Sequence, residues 1–405
     1  MFNIAILGFG TVGSGVYEVI KENNALLKQK TGEDIAVKKI LDIRDFPDSE
    51  WESLVVHDIK EIIEDNDIDA VVETMGGTSP AFEFVRDALL SGKHVTTSNK
   101  ALVAAHGTEL LKIAKEKNVN FFFEASVGGG IPIIRTLTES YAGEHFKEIT
   151  GILNGTTNYI LTKMDAEGED FEKALSTAQE LGYAERNPEA DVKGHDTCRK
   201  IAILASLATG KEVNFEEIYT EGITKIDTTD FEYAKHMKLS IKLFGDSKFE
   251  DGKVFAFVAP VMVERDHPLY MVNDVFNGIM VEGNMLGKSM LYGSGAGKLP
   301  TASAVVADII AITKNKDKNI PFGWVNEKQA VADMNETSHK YFVRFKGKDT
   351  QFINKCKETF KDAKEVYLDG KDEFALVTGL MKEKDFLMDL NNLGSVIKYI
   401  RTKIA

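Results

Sequence analysis

The chain opens on MFNIAILGFGTVG, and nothing else in its 405 residues narrows the fold as much. Residues 2–7 read as a short buried strand, glycines follow at 8, 10 and 13, and VYEVIKENNALLKQK continues as a helical run. IAVKKILDI (35–43) is the next strand, which completes a βαβ unit of about the expected length. A glycine triplet alone is a weak signal in a chain with 33 glycines. Between a strand and a helix it is strong. Gly8 allows the tight turn, Gly10 lets the backbone approach a pyrophosphate and Gly13 allows close helix packing. The helix start at Thr11, Val12 and Gly13 then turns its N–H groups toward the phosphates.

Further strands read at AVVETMGG (70–77), HVTTSNK (94–100) and NVNFFFEAS (118–126), with helices over 80–91 and 101–117 between them. Such alternation predicts a Rossmann-type α/β fold, a doubly wound parallel sheet. The pattern changes after VGGGIP, and residues 147–300 read as α+β, with strands at 148–153, 253–264 and 275–282. PTASAVVADIIAIT (300–313) is a helix with proline near its start, followed by the polar KNKDKN. From about residue 338 the order strand, helix, hairpin, helix, strand predicts a ferredoxin-like βαββαβ module. We therefore expect a dinucleotide-binding domain at 1–130 completed by 301–330, a substrate and dimerisation domain at 131–300, and a terminal module at 338–405.

A net charge of −14 argues against binding nucleic acid or anionic membrane through bulk electrostatics. Cys198 and Cys356 cannot build a disulfide framework, which fits a reducing cytoplasm. No apolar run reaches membrane-span length, the N-terminus lacks the basic region of a signal peptide, and the scattered histidines give no zinc-ligand spacing.

Polar chemistry concentrates in ELGYAERNPEADVKGHDTCRK (180–200), which runs straight into the apolar IAILASLA. Asp196 and Lys200 are four apart, on one helix face. A lysine with a carboxylate beside it at the mouth of a buried helix suits proton transfer, and a surface ion pair capping a core helix is the equally weighted alternative. At the second strand's end, Asp42 would hold a ribose 2′-OH, whereas Arg44 would accept a 2′-phosphate. The spacing allows NAD or NADP, with NADP the preferred reading. GSGAGKLPT (293–301) is not a phosphate-binding P-loop, because Tyr292 and Leu299 stand where that motif needs Gly and Ser or Thr. It reads as a glycine-rich loop approaching the cofactor.

With these pieces placed, the chain resembles the homoserine dehydrogenases, in their monofunctional form with a C-terminal ACT-like domain. The resemblance covers about residues 1–330 through GFGTVGSGV, VVETMGG, TTSNKAL, FEASVGGGIPI, GILNGTTNYIL, GYAERNPEADVKGHDTCRK and GSGAGKLPTASAVVADI. It implies reversible hydride transfer between NAD(P)H and aspartate 4-semialdehyde, giving homoserine, in the route to threonine and methionine. Lys200 is implied as proton donor with Asp196 beside it, and Lys100 as a second lysine near nicotinamide and substrate. The blander reading of Lys100 is a strand-end surface lysine. Glu185 and Asp191 resemble the carboxylates that receive the substrate ammonium, and Gly155, Thr156 and Tyr183 its other contacts. Gly182 and Gly297 are implied as cofactor contacts. Glu124, with the carbonyls of Val127, Gly129 and Ile131, resembles a site for sodium or potassium, the alternative being a glycine-rich hinge without an ion.

The terminal module departs from ACT-like amino-acid binders, which carry Asp-x-Pro-Gly after the first strand where this chain has KGKDTQF (346–352). That points it toward contacts in a homo-oligomer, a dimer or tetramer, rather than threonine binding. No kinase-like segment precedes residue 1, so a monofunctional enzyme is expected. An aldehyde-oxidising enzyme would need a cysteine nucleophile with a histidine partner, and none is evident around Cys198. A nucleotide-sensing protein would have no need of a proton donor, so the set Glu185, Asp191, Asp196 and Lys200 disfavours it.

Overall fold

The computed structural model describes residues 1–404, which fall into two compact units. The first takes residues 1–145, 202–215 and 293–329. Its main sheet contains β1 (Phe2–Leu7), β2 (Ile35–Leu41), β3 (Val55–Val56), β4 (Ala70–Glu73), β5 (His94–Thr97) and β6 (Phe121–Phe122). All pair in parallel in the order β3-β2-β1-β4-β5-β6. The order reverses at β1, whose carboxyl end therefore opens a crevice for a ligand.

Helices α1 (Thr11–Glu22), α2 (Asn24–Thr31), α3 (Lys60–Ile63), α4 (Ala81–Leu90), α5 (Lys100–Glu116) and α6 (Ile133–Arg135) follow in chain order. The helical run expected after the glycines breaks at Asn23, and the expected strand over 118–126 shortens to Phe121–Phe122 before a 3₁₀ turn. The core joins Ile4, Ile6, Val16, Ile20 and Val72 to Val305, Ile309 and Ile312 of α12 (Lys298–Lys314). A Cβ on Gly15 would lie 2.9 Å from the Lys298 carbonyl oxygen, so the α1–α12 approach requires glycine there. A short parallel pair, β8 (Lys211–Glu212) with β14 (Val325–Lys328), belongs to the same unit.

The second unit takes residues 146–201, 216–292 and 330 onward. Its strands are β7 (Phe146–Ile152), β9 (Tyr219–Thr220), β10 (Leu239–Glu250), β11 (Lys253–Glu264), β12 (Phe276–Gly283), β13 (Gly287–Ser294), β15 (Ser338–Lys346), β16 (Lys364–Val366), β17 (Glu373–Val377), β18 (Met381–Lys382) and β19 (Val396–Lys403). The sheet runs β13-β12-β7-β10-β11-β19-β15-β17-β16, with β9 on β11 and β18 on β15. Helices α7 (Gly155–Glu167), α8 (Phe171–Glu180), α9 (Glu189–Val192), α11 (Thr228–His236), α13 (Thr350–Thr359) and α14 (Glu383–Leu393) accompany it, with the first half of α10 (His195–Thr209), whose second half, from Ala202, belongs to the first unit.

From residue 338 the order is βαββαβ, with strands arranged β19-β15-β17-β16 and an aromatic core around Tyr341, Phe345, Phe374 and Phe386. The expected division near residue 338 is not a break in the sheet. β19 pairs in parallel with β11, from Val261↔Arg401 to Val263↔Lys403. Buried cations fasten this join: Arg401 meets Glu383 and Glu221, Arg344 meets Asp227, Asp230 and Glu373, and Lys403 meets Asp246 and Glu148. No helix among the described residues is long and apolar enough to cross a membrane.

Candidate active site

In the first unit, Gly8 adopts φ +86°, and a Cβ there would sit 2.8 Å from Met75 Cγ and 3.0 Å from its Cα. A Cβ on Gly13 would fall 2.2 Å from the Gly8 carbonyl oxygen. At Gly10 a Cβ would meet nothing within 4 Å, so the open face of the turn lies there. No side chain caps α1, whose first residues are Thr11, Val12 and Gly13. An uncapped helix start beside an open glycine turn fits a pyrophosphate.

Beside the turn, a cavity of about 450 Å³ is lined by Gly8, Gly10, Asp42, Arg44, His57 and Thr74, among others. The Asp42 carboxylate accepts from the Phe9 N–H at 2.8 Å and from Arg44 Nε at 2.9 Å. Hydrogen bonding from Arg44 holds Asp42 well below the usual carboxylate range. His57 Nδ1 lies 2.7 Å from the Asp42 carbonyl oxygen, which together with Asp45 raises the imidazole pKa. Both sequence candidates for reading the ribose therefore stand at one pocket, with a third titratable group.

The carboxyl edge of the sheet is organised by Glu73, fully buried at the end of β4. It accepts from the Met75 N–H and the Thr97 hydroxyl, while burial pushes its pKa up. Asn99 caps α5 through Leu102 N–H, which sets Lys100 at the first position of that helix. Gly297, at φ +116°, precedes α12 in this unit. Gly182, at φ +74°, follows α8 in the other.

The expected cation ligands also lie in the first unit. Glu124 is 3% exposed, and its carboxylate accepts from the N–H groups of Ile134 and Arg135, each at 2.8 Å. Burial and the nearby Asp308 raise Glu124 to about 7. Asp308 accepts from Thr96, from the Glu124 N–H and from Arg135. Gly128 and Gly129 are left-handed, at φ 76° and 55°. Among the described residues no three His, Cys, Asp or Glu side chains gather as a metal cluster. A carboxylate and backbone carbonyls such as those of Val127, Gly129 and Ile131 are hard-oxygen donors of the type an alkali cation takes.

In the second unit, β7 runs through Leu153 to Asn154, the N-cap of α7, whose side chain accepts from the Thr157 N–H at 2.8 Å. A Cβ on Gly155 would lie 2.7 Å from the Val275 carbonyl oxygen, so glycine is needed for packing here whatever else it contacts. Lys200 Nζ, on α10, lies 2.8 Å from Asp196 Oδ2 and donates to the Leu153 carbonyl at 2.7 Å. Lys200 is 8% exposed and Asp196 2%. The Asn154 amide donates to Asp191 Oδ1 at 2.7 Å and Asp196 Oδ2 at 2.9 Å.

Asp191, Asp196 and Lys200 are thus brought together. Thr156 joins Tyr183 through the Tyr183 carbonyl, and the Tyr183 ring packs on Tyr159 with centroids 5.0 Å apart. Glu185 lies exposed on the α8–α9 loop, where its backbone carbonyl accepts from Gln179. Sequence reasoning missed Asn154 and Asp308. An Asn preceding a helix in GILNGTT carries an N-cap signal, but nothing in the sequence shows its amide reaching residues 37 and 42 positions away.

Residues 8–124 match the family model described as homoserine dehydrogenase, NAD binding domain, and residues 132–310 the model described as homoserine dehydrogenase. The chain is 36% identical to a homoserine dehydrogenase of Bacillus subtilis (strain 168), over 97% of this chain and 95% of that protein. It is similar to the crystal structure of a homoserine dehydrogenase from Thiobacillus denitrificans, with a TM-score of 0.92 and 31% identity over 99% of this chain and 98% of that one. A hyperthermophilic archaeal homoserine dehydrogenase in complex with NADPH matches 77% of this chain and 97% of its own, with a TM-score of 0.66 and 32% identity.

Proposed function

The chain belongs to the homoserine dehydrogenase family, and we propose that it catalyses the family reaction through Lys200, with Asp196 holding that lysine in place. It is a homoserine dehydrogenase, an NAD(P)-dependent oxidoreductase that interconverts L-aspartate 4-semialdehyde and L-homoserine. The observation that carries the assignment is the buried Lys200 ammonium, anchored by both Asp196 and the Leu153 carbonyl. When bound, the nicotinamide cofactor supplies or accepts the hydride. Reduction of an aldehyde leaves its oxygen negative, and an ammonium within reach stabilises that charge and donates a proton. In the oxidative direction the lysine takes the hydroxyl proton back. Asp196, 2.8 Å away, fixes the Lys200 head group. Asp191, with Glu185 from the neighbouring loop, receives the substrate ammonium, and Gly155, Thr156 and Tyr183 complete the pocket. Lys100, at the carboxyl edge of the first unit's sheet, is the second lysine proposed for the reaction.

Gly8, Gly10, Thr11, Val12 and Gly13 hold the pyrophosphate, with Gly182 and Gly297 as further cofactor contacts. Arg44 favours NADP over NAD: its guanidinium lines the pocket beside the glycine turn, where it would receive a 2′-phosphate, whereas Asp42 alone would hold a bare hydroxyl. Glu124 and the carbonyls of Val127, Gly129 and Ile131 would hold a sodium or potassium ion, which would order the glycine-rich turn. The βαββαβ segment is an ACT-like module serving contacts in a dimer or tetramer, and the enzyme works in the cytoplasm in threonine and methionine synthesis. The test is homoserine-dependent reduction of NADP and NAD in parallel at alkaline pH, with and without threonine. Faster NADP reduction that Arg44→Ala selectively weakens supports the reading. An Arg44→Ala variant with unchanged preference contradicts the role given to Arg44, and no reduction by folded protein contradicts the assignment itself.

A further inference from the structure

Two carboxylates on neighbouring helices, Asp191 and Asp196, point at one neutral side chain. Asn154 is 6% exposed, and its amide nitrogen lies within hydrogen-bond distance of one oxygen from each. Those two oxygens are therefore within two hydrogen-bond lengths of each other. Like charges at that separation in a buried site raise the pKa of one or both, unless a donor or cation stabilises the ionised pair. On the Asp196 side Lys200 contributes. The Asn154 amide donates to both.

The amide is itself fixed. Its oxygen accepts from the Thr157 N–H at 2.8 Å and the Thr157 hydroxyl at 3.0 Å, so the two N–H bonds are forced toward the carboxylates. The preceding residue, Leu153, supplies the carbonyl that receives Lys200. The titratable groups that face the amide are Asp191 on α9 and Asp196 and Lys200 on α10. From the sheet side β10 meets Leu153 and Thr197 through Gly245, and Cys198 turns toward Thr220.

Resting on the site reading given above, we infer that Asn154 is a positioning residue that keeps Asp191 and Asp196 both ionised and at a fixed spacing. It acts through those carboxylates rather than on the substrate. Bridging holds the ammonium-binding carboxylate and the lysine-anchoring carboxylate as one rigid pair.

The test compares Asn154→Asp, Asn154→Ser and Lys200→Met with the unaltered full-length enzyme, reading kcat, KM for homoserine and the pH profile of kcat/KM. Asp and Ser both cap helices as well as Asn does, so α7 keeps its cap in either variant. Neither retains the two donors. Loss of a hydrogen bond to a charged group predicts that kcat/KM falls about ten- to hundredfold in both. Losing the donors moves the acid limb of the profile to higher pH in both variants, and further in Asn154→Asp, which adds a third carboxylate. Should Asn154→Asp fail to fold by circular dichroism, the loss of kcat/KM in Asn154→Ser decides the matter. Near-unaltered activity with an unmoved acid limb, while Lys200→Met is inactive, overturns the inference and leaves Asn154 as a helix cap alone. Substantial turnover in Lys200→Met overturns the underlying site reading instead.

Discussion

Replacing Lys403 with methionine tests how the C-terminal strand is held. Lys403 pairs with Asp246 and with Glu148, and its side chain is 20% exposed against 1% for Asp246 and 17% for Glu148. Burial pushes the Glu148 carboxyl up, but the Lys403 ammonium outweighs it and holds the group at about 2. Burial drives Asp246 upward, with Lys403 again opposing. Methionine fills much of the lysine stem's volume but leaves the buried Asp246 and the partly buried Glu148 without their cation. Removing one partner of a buried pair costs about 3–5 kcal/mol. In a unit of roughly 200 residues that lowers Tm by about 6–20 °C.

The sign with pH follows from Glu148. Its folded pKa lies below the unfolded value of about 4.3, so its contribution is present above that value and is lost as pH falls toward 2. Without Lys403 both carboxylates titrate higher, so the deficit of Lys403→Met shrinks between pH 8 and pH 5. Asp246→Asn added to Lys403→Met removes one stranded charge and recovers about 1 kcal/mol or more. Urea unfolding at both pH values, followed by circular dichroism, supplies the numbers. A loss below about 1 kcal/mol that is equal at pH 8 and pH 5 would refute the reasoning.

Gly13→Ala places a Cβ 2.2 Å from the Gly8 carbonyl oxygen. The glycine turn must shift, and NADPH affinity falls at least about tenfold by fluorescence titration, since a lost backbone contact to phosphate is charge-assisted. Unchanged affinity counts against the cofactor site. Burial holds His267 at about 4 and His339 at about 3, so both are neutral in the fold while unfolded imidazoles take up protons below about 6.5. Stability contributed by each is therefore lost as pH falls from about 6.5 toward those values, with a slope of up to about 1.4 kcal/mol per pH unit for each. Urea midpoints at pH 7.5, 6 and 5 should fall more steeply than in the His267→Asn, His339→Asn double variant. Equal slopes would contradict this.

The parallel sheet was legible because its signal is local: an apolar strand, a glycine turn and a helix recur within a few dozen residues. β10 was not read from the sequence. Its strand LSIKLFGDSKFE carries Lys242 and Asp246 into the interior, which spoils the apolar alternation by which strands are recognised. Those charges are satisfied by distant groups: Lys242 by the Val272 carbonyl and Asn273, Asp246 by Lys403. β19 was expected as the last strand of the terminal module, but its pairing with β11 was not legible, since the carboxylates that Arg401 and Lys403 meet lie on distant segments. At the site, the i, i+4 spacing of Asp196 and Lys200 was readable from helical geometry. The Leu153 carbonyl and the Asn154 amide were not, because they arrive from a strand end about 40 positions earlier.

The most direct test of the account is homoserine oxidation by Lys200→Met beside Lys100→Met, each shown to be folded and to bind NADPH. The arrangement predicts that Lys200→Met loses turnover by about a hundredfold or more, the scale of a lost general acid–base group, at nearly unchanged cofactor affinity. Near-normal turnover in Lys200→Met, with Lys100→Met inactive, would contradict it and move the proton donor to Lys100.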